Sequence, residues 1–181
     1  MMEGSRLRHL IFMALCCDLG LFAKKLVNPL ANLITDQLHI PGGISTAFSL
    51  MFLVIAVAAV PKFGTATLMG AAQGLLALAM GRVGSMGLFS PIGYIVPGVV
   101  IDAAFLAGRG SGLARAYCMV LANALGGMAA SLTANLIVFR LQGVVLLLYL
   151  SVACTCGAIC GYLGEIVASR VIPVIREGEI R

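Results

Sequence analysis

Runs of apolar residues recur along this chain at about the length a bilayer demands, and no other feature narrows its folding options as much. Cutting at polar and Gly/Pro-rich points leaves six runs, at about 9–35, 44–61, 63–81, 91–107, 112–138 and 143–169. A helix needs about 20 mostly apolar residues to cross the hydrocarbon core. The expectation is therefore an all-α integral membrane protein: one domain, residues 1–181, folded as a compact bundle of six transmembrane helices. Composition agrees: 61% of residues are hydrophobic and only 10% charged, with a mean hydropathy of +1.07, more apolar surface than a soluble domain of this size can hide.

The breaks have local causes. "VPKFG" (60–64) joins a proline, a charge and a glycine, "GRVGSMGLFSP" (81–91) collects turn formers, and "GRGSGLAR" (108–115) ends one run and starts another. Asn28 and Pro29 are expected to bend or close the first helix. The N-terminus has a basic residue pattern before an apolar run, as a signal peptide has. It lacks a small-x-small site leading into a polar mature chain, so it is read as a retained first helix.

Orientation follows from the basic residues. With the N-terminus inside, the cytoplasmic face receives Arg6, Arg8, Lys62, Arg109, Arg115, Arg170, Arg176 and Arg181, and the opposite face Arg82 and Arg140. Both termini are therefore expected in the cytoplasm of a multi-pass protein of the cell membrane. Lys24 and Lys25 lie within or beyond the first run and are expected to snorkel outward. The net charge of +5 sits at chain ends and short connections, not in a stripe fitted to a phosphate backbone, so no nucleic-acid partner is expected.

The remaining chemistry is sparse. Six cysteines, at 16, 17, 118, 154, 156 and 160, all fall in apolar runs and read as small buried hydrophobes, with no neighbouring set for a metal. No phosphate-binding glycine loop, HExxH or G-x-S-x-G occurs, so the chain is read as neither an enzyme nor a holder of a cofactor. Small residues at four-residue spacing, Ala66–Gly70–Gly74 and Gly157–Gly161, suit close helix packing. Asp102 and Glu165 are expected near the inner interface in structural ion pairs, with Arg109 and Arg115 as partners for Asp102.

Polar groups gather toward the outer ends of the runs. Lys24, Asn28 and Asn32 share a helical face, with Asp36 if the helix persists. Arg82, Ser85, Ser90, Tyr94, Asn135, Gln142 and Tyr149 belong to the same level. Together they suit a small-molecule mouth above an apolar floor. The ligand-binding candidates are Asn28, Asn32, Asp36, Arg82, Ser90, Tyr94, Asn135, Gln142 and Tyr149. His39, Pro41, Gly42 and Gly43 in the first connection fit a loop that moves as a lid. The competing readings are that these groups face external water and headgroups, or that they make contacts between subunits.

The six-run size, "IFMALCCDLGLF" in the first helix, "NPLANLITDQLHIPGG" after it and "VPKFGTATLMGAAQGLLALAMGRVG" (60–84) give the chain a diffuse likeness to a known class. It resembles the substrate-binding S component of energy-coupling-factor vitamin transporters, especially those of thiamine or hydroxymethylpyrimidine uptake. The resemblance implies capture of a vitamin or precursor from outside, with a separate transmembrane scaffold and two cytoplasmic ATPases supplying the energy. It also implies a small-residue face on helix one that docks the scaffold, for which Cys16 and Gly20, with Ala14 and Ala23 nearby, are the matching positions. The alternative is a small oligomeric channel or structural membrane protein without a dedicated ligand.

Overall fold

A computed structural model describes residues 2–38, 44–81, 84–110 and 112–180; side chains at 2–6, 30–38, 44, 84–85, 88 and 176–180 are outside that description. The described residues form six α-helices: α1 (Met2–Leu38), α2 (Ile44–Ala59), α3 (Thr65–Ala79), α4 (Ser90–Gly110), α5 (Arg115–Ala134) and α6 (Val144–Ile180). A 3-10 segment, Gly84–Phe89, precedes α4, and a π-helical turn, Asn135–Phe139, extends α5.

The protein is all-helical, and three of its helices are long and apolar enough to cross a membrane: Ser90–Gly110, Arg115–Phe139 and Val144–Ile175. The other three depart from a simple six-span pattern in identifiable ways. α2 and α3 are apolar but short, about 24 and 22 Å at 1.5 Å per residue. The described part of α1 carries Arg8, Asp18, Lys24 and Lys25. Pro29 neither closes nor interrupts α1, whose backbone runs helically to Leu38. The expected long first connection thus shrinks to residues 39–43, which fall outside the described residues, together with the proposed lid residues His39, Pro41, Gly42 and Gly43.

α2 is the centre of the bundle. It is apolar on all sides, and Ala47, Leu53, Val54 and Ala56 have no more than traces of accessible surface because α1, α3, α4, α5 and α6 surround it. Its shortness is tolerable there, since protein rather than lipid covers its flanks. The outside is aliphatic: Leu68, Leu75, Leu121, Leu136, Leu147 and Ile159 stand exposed, while the helix seams are built from Ala, Gly and Ser. Large apolar residues outside and small ones inside is the arrangement expected when the solvent is hydrocarbon and helices associate by close contact.

Two seams show the small-residue rule at work. On α3, a Cβ at Gly70 would collide with the Tyr94 carbonyl of α4, and one at Gly74 would lie 2.8 Å from the Pro91 Cα. On α6, a Cβ at Gly157 would meet the Ala124 Cα at 2.7 Å, and one at Gly161 the Val120 Cα at 2.8 Å. Both four-residue spacings read from the sequence therefore set backbone against backbone. The six cysteines are free thiols.

Candidate functional site

Helices consecutive in the chain run antiparallel, so the bundle has two ends. One holds the C-terminal halves of α1, α3 and α5 and the starts of α2, α4 and α6; the other holds the reverse set. The polar groups divide between them.

At the first end, Lys24 of α1 reaches Tyr94 of α4. Its ammonium donates to the phenolic oxygen at 3.2 Å and lies 4.5 Å from the ring centroid. Both side chains are half-buried. Gly70 brings α3 onto the Tyr94 carbonyl, so the backbone that carries this ring is held from the opposite side. The 3-10 segment before α4 folds back on it, with the Met86 sulfur 2.8 Å from where a Gly93 Cβ would stand. A cation over an aromatic face, with the phenol as acceptor, can hold a planar solute bearing a carbonyl or anionic group.

The same end contains two interruptions of regular helix, the 3-10 segment and the π-helical turn, and the two are in contact. Arg140 leaves the π turn in the left-handed region, φ 50°. Asn135 makes that conformation tenable: its carbonyl oxygen accepts the Leu141 amide at 2.7 Å and its amide donates to the Leu141 carbonyl at 3.3 Å. Irregular backbone at membrane depth persists only where protein covers it or where it lines a polar cavity, and π turns concentrate at functional sites.

The nine ligand candidates separate accordingly. Tyr94 is engaged by Lys24, which the sequence grouped with them. Asn135 spends its amide on the turn that follows it. Tyr149 is buried and edge-on to Phe139 at 6.2 Å between centroids. Ser90 is buried at the first residue of α4. Asn28 and Gln142 are exposed. Asn32 and Asp36 fall on the α1 backbone, but their side chains lie outside the described residues, as does Arg82 altogether.

Helix one turns its small residues inward. Cys16 and Gly20 are buried; the Cys17 thiol lies against the Met69 carbonyl, the Gln73 amide donates to the Cys17 carbonyl at 3.2 Å, and a Cβ at Gly20 would stand 2.7 Å from the Gln73 nitrogen. Those positions join α1 to α2 and α3 within the chain. Ala14 is exposed and Ala23 half-buried, so the four docking candidates do not form one free face.

The second end is organised by Asp102 on α4. Its carboxylate accepts the Ala66 amide at 3.1 Å, the Thr67 amide at 2.9 Å and the Thr67 hydroxyl at 2.6 Å. Gly64, the residue preceding α3, has no side chain with which to cap that helix. Asp102 supplies the missing acceptor from across the interface, and its charge suits the positive end of the α3 dipole. The expected pairing with Arg109 or Arg115 is therefore replaced. Arg109 donates to the Pro61 carbonyl at 2.9 Å, and Arg115 forms a two-pronged pair with Glu165 at 2.9 and 3.3 Å. A shallow, open depression lies here, lined by Val57, Lys62, Phe63, Phe105 and Arg109 among others.

Two buried amides act as ties between helices. Gln73 ties α3 to α1, and Asn123 ties α5 to both α2 and α6 by donating to the Ala47 and Gly157 carbonyls at 3.3 and 2.8 Å. The sequence signal was available in both, since each stands among apolar residues at mid-helix and has to find a partner there.

No protein-family model matches this chain, and neither a curated protein nor a solved structure does. Its reading rests on the residues themselves.

Proposed function

We propose that the chain is a six-pass subunit of the cell membrane that binds a small vitamin or vitamin precursor for uptake, with energy supplied by a transmembrane scaffold and two cytoplasmic ATPases. The observation that carries this reading is the Lys24–Tyr94 pair beside two irregular segments at one end of the bundle. A lysine drawn off the lipid-facing surface onto a tyrosine provides charge and a flat apolar face together, as a site for a small aromatic or carbonyl-bearing solute needs.

The six-pass topology rests on α1, α2 and α3 lying alongside the three long helices, with α2 at the centre. Orientation rests on basic residues: Arg8, Lys62, Arg109, Arg115 and Arg170 belong to the Asp102 end, against Lys24, Lys25 and Arg140 at the other. The excess supports a cytoplasmic location for the Asp102 end and both termini, and an outer location for the Lys24 end. The ammonium of Lys24 favours a neutral or anionic ligand over a thiazolium cation.

The test is calorimetric titration of the protein in lipid nanodiscs against water-soluble vitamins and their precursors, hydroxymethylpyrimidine and thiamine included. Saturable one-to-one binding that is lost in Tyr94→Leu is the expected result. Absence of binding across the panel, with solute flux through liposomes containing this chain alone, overturns the reading in favour of a channel.

A further inference from the structure

The outward face of α1 carries a charge that nothing among the described residues accounts for. Ile11, Leu15, Phe22 and Lys25 are exposed and recur at intervals of four and three residues, and Asp18, also exposed, occupies the centre of the same stripe. That spacing is the seam along which one helix lies against another. Asp18 has no hydrogen bond or ion pair among the described residues. Within α1, the positions one turn away are Ala14, Leu15, Leu21 and Phe22, and the nearest cation on its face, Lys25, is two turns off, about 10 Å along the axis.

The depth of Asp18 is fixed by its neighbour. Cys17 touches the Met69 carbonyl and accepts from Gln73, which straddle the middle of α3 (Thr65–Ala79). Asp18 therefore stands at mid-height of the bundle, facing out. A carboxylate is too short to snorkel to an interface from there, and an ionised group facing hydrocarbon is costly enough to be kept only with a partner.

We propose that this face docks a transmembrane helix of a different protein, one that presents a lysine or arginine at mid-membrane to Asp18. Lys25 adds a second requirement, an acidic or carbonyl acceptor about two turns away on the same partner helix. A second copy of this chain is disfavoured by symmetry. A two-fold pair in a membrane sets its α1 helices parallel, so Asp18 meets Asp18 and Lys25 meets Lys25. The proposal shares with the function above the membrane setting and a transmembrane partner, but it does not rest on the ligand site, which its failure leaves untouched.

The test uses the full chain in lipid vesicles with synthetic Leu/Ala transmembrane peptides of about 20 residues bearing one central Arg, Leu or Glu, association being read by energy transfer. The central-Arg peptide is expected to bind wild type about tenfold more tightly than the Leu peptide. Asp18→Asn is expected to abolish that preference, and Asp18→Arg to transfer it to the Glu peptide. Because Asp18 is exposed and makes no hydrogen bond or ion pair among the described residues, these variants test docking rather than folding. Equal binding of the Arg and Leu peptides, or a preference unchanged in Asp18→Asn, overturns the proposal. So does efficient disulfide cross-linking of Leu15→Cys to Leu15→Cys, which would identify the occupant as a second copy.

Discussion

Asp102 on α4 closes the N-terminus of α3, holding the Thr67 amide at 2.9 Å and the Thr67 hydroxyl at 2.6 Å. The carboxylate is 3% exposed, so its removal leaves the Ala66 and Thr67 amides without water to replace it. Asp102→Ala is expected to destabilise the protein by about 2–4 kcal/mol. Asp102→Asn keeps one acceptor and should fall between. Unfolding of the purified variants in detergent measures both, and equal stability of Asp102→Ala and wild type contradicts the capping role.

Asn123 bridges three helices from a site without measurable exposure. Asn123→Ala removes both donor bonds and opens a void between α2, α5 and α6. Hydrogen bonds between membrane helices contribute about 0.6–2 kcal/mol, so a loss of that order or somewhat greater is expected. The check is the denaturation midpoint compared with Gln142→Ala, an exposed amide whose loss should change little.

At the α5–α6 seam, a methyl group on Gly157 has to displace backbone, the Ala124 Cα at 2.7 Å and the Asn123 carbonyl at 2.9 Å. Gly157→Ala is expected to cost about 1–3 kcal/mol through separation of the two helices. Gly110→Ala, where a Cβ meets nothing within 4 Å, serves as the control and should be neutral or slightly stabilising. Indistinguishable midpoints for the two variants would contradict the seam.

The Arg115–Glu165 pair has better geometry than its contribution suggests. The Arg115 side chain is 43% exposed, and solvent screens the attraction. Arg115→Ala should therefore lower stability by no more than about 1 kcal/mol, a loss that shrinks further as salt is raised. Measuring the midpoint at low and high ionic strength distinguishes this from a buried pair.

Much of the architecture was legible because six apolar runs are separated by residues with definite backbone preferences. Gly64 at φ 88° and Gly143 at φ 62° fall in such breaks. Pro29 does not close α1: a proline's clash is with its own preceding turn, and the helix continues past it to Leu38. The π turn at Asn135–Phe139 left no trace in the pattern, since it alters hydrogen bonding by one residue without altering hydrophobicity.

Faces were harder to read than helices. Along α1, both the inward side at Cys16 and Gly20 and the outward side at Ile11 and Leu15 are apolar, because protein and lipid make similar demands. Sequence periodicity could not tell which side docks a neighbour. Asp102 posed a different problem: its partners are backbone amides on another helix, and no residue type announces them. Lys24 and Tyr94 were each placed at the outer level, but their contact depends on how α1, α3 and α4 assemble.

The most direct measurement of the central claim is native mass spectrometry of the full chain, purified in parallel as wild type, Lys24→Met and Asp18→Asn. A small-molecule adduct on wild type and Asp18→Asn, and its absence from Lys24→Met, is the predicted outcome. An adduct that survives Lys24→Met undiminished, or a wild type that carries none while conducting solutes alone in liposomes, would contradict a binding site built on Lys24 and Tyr94.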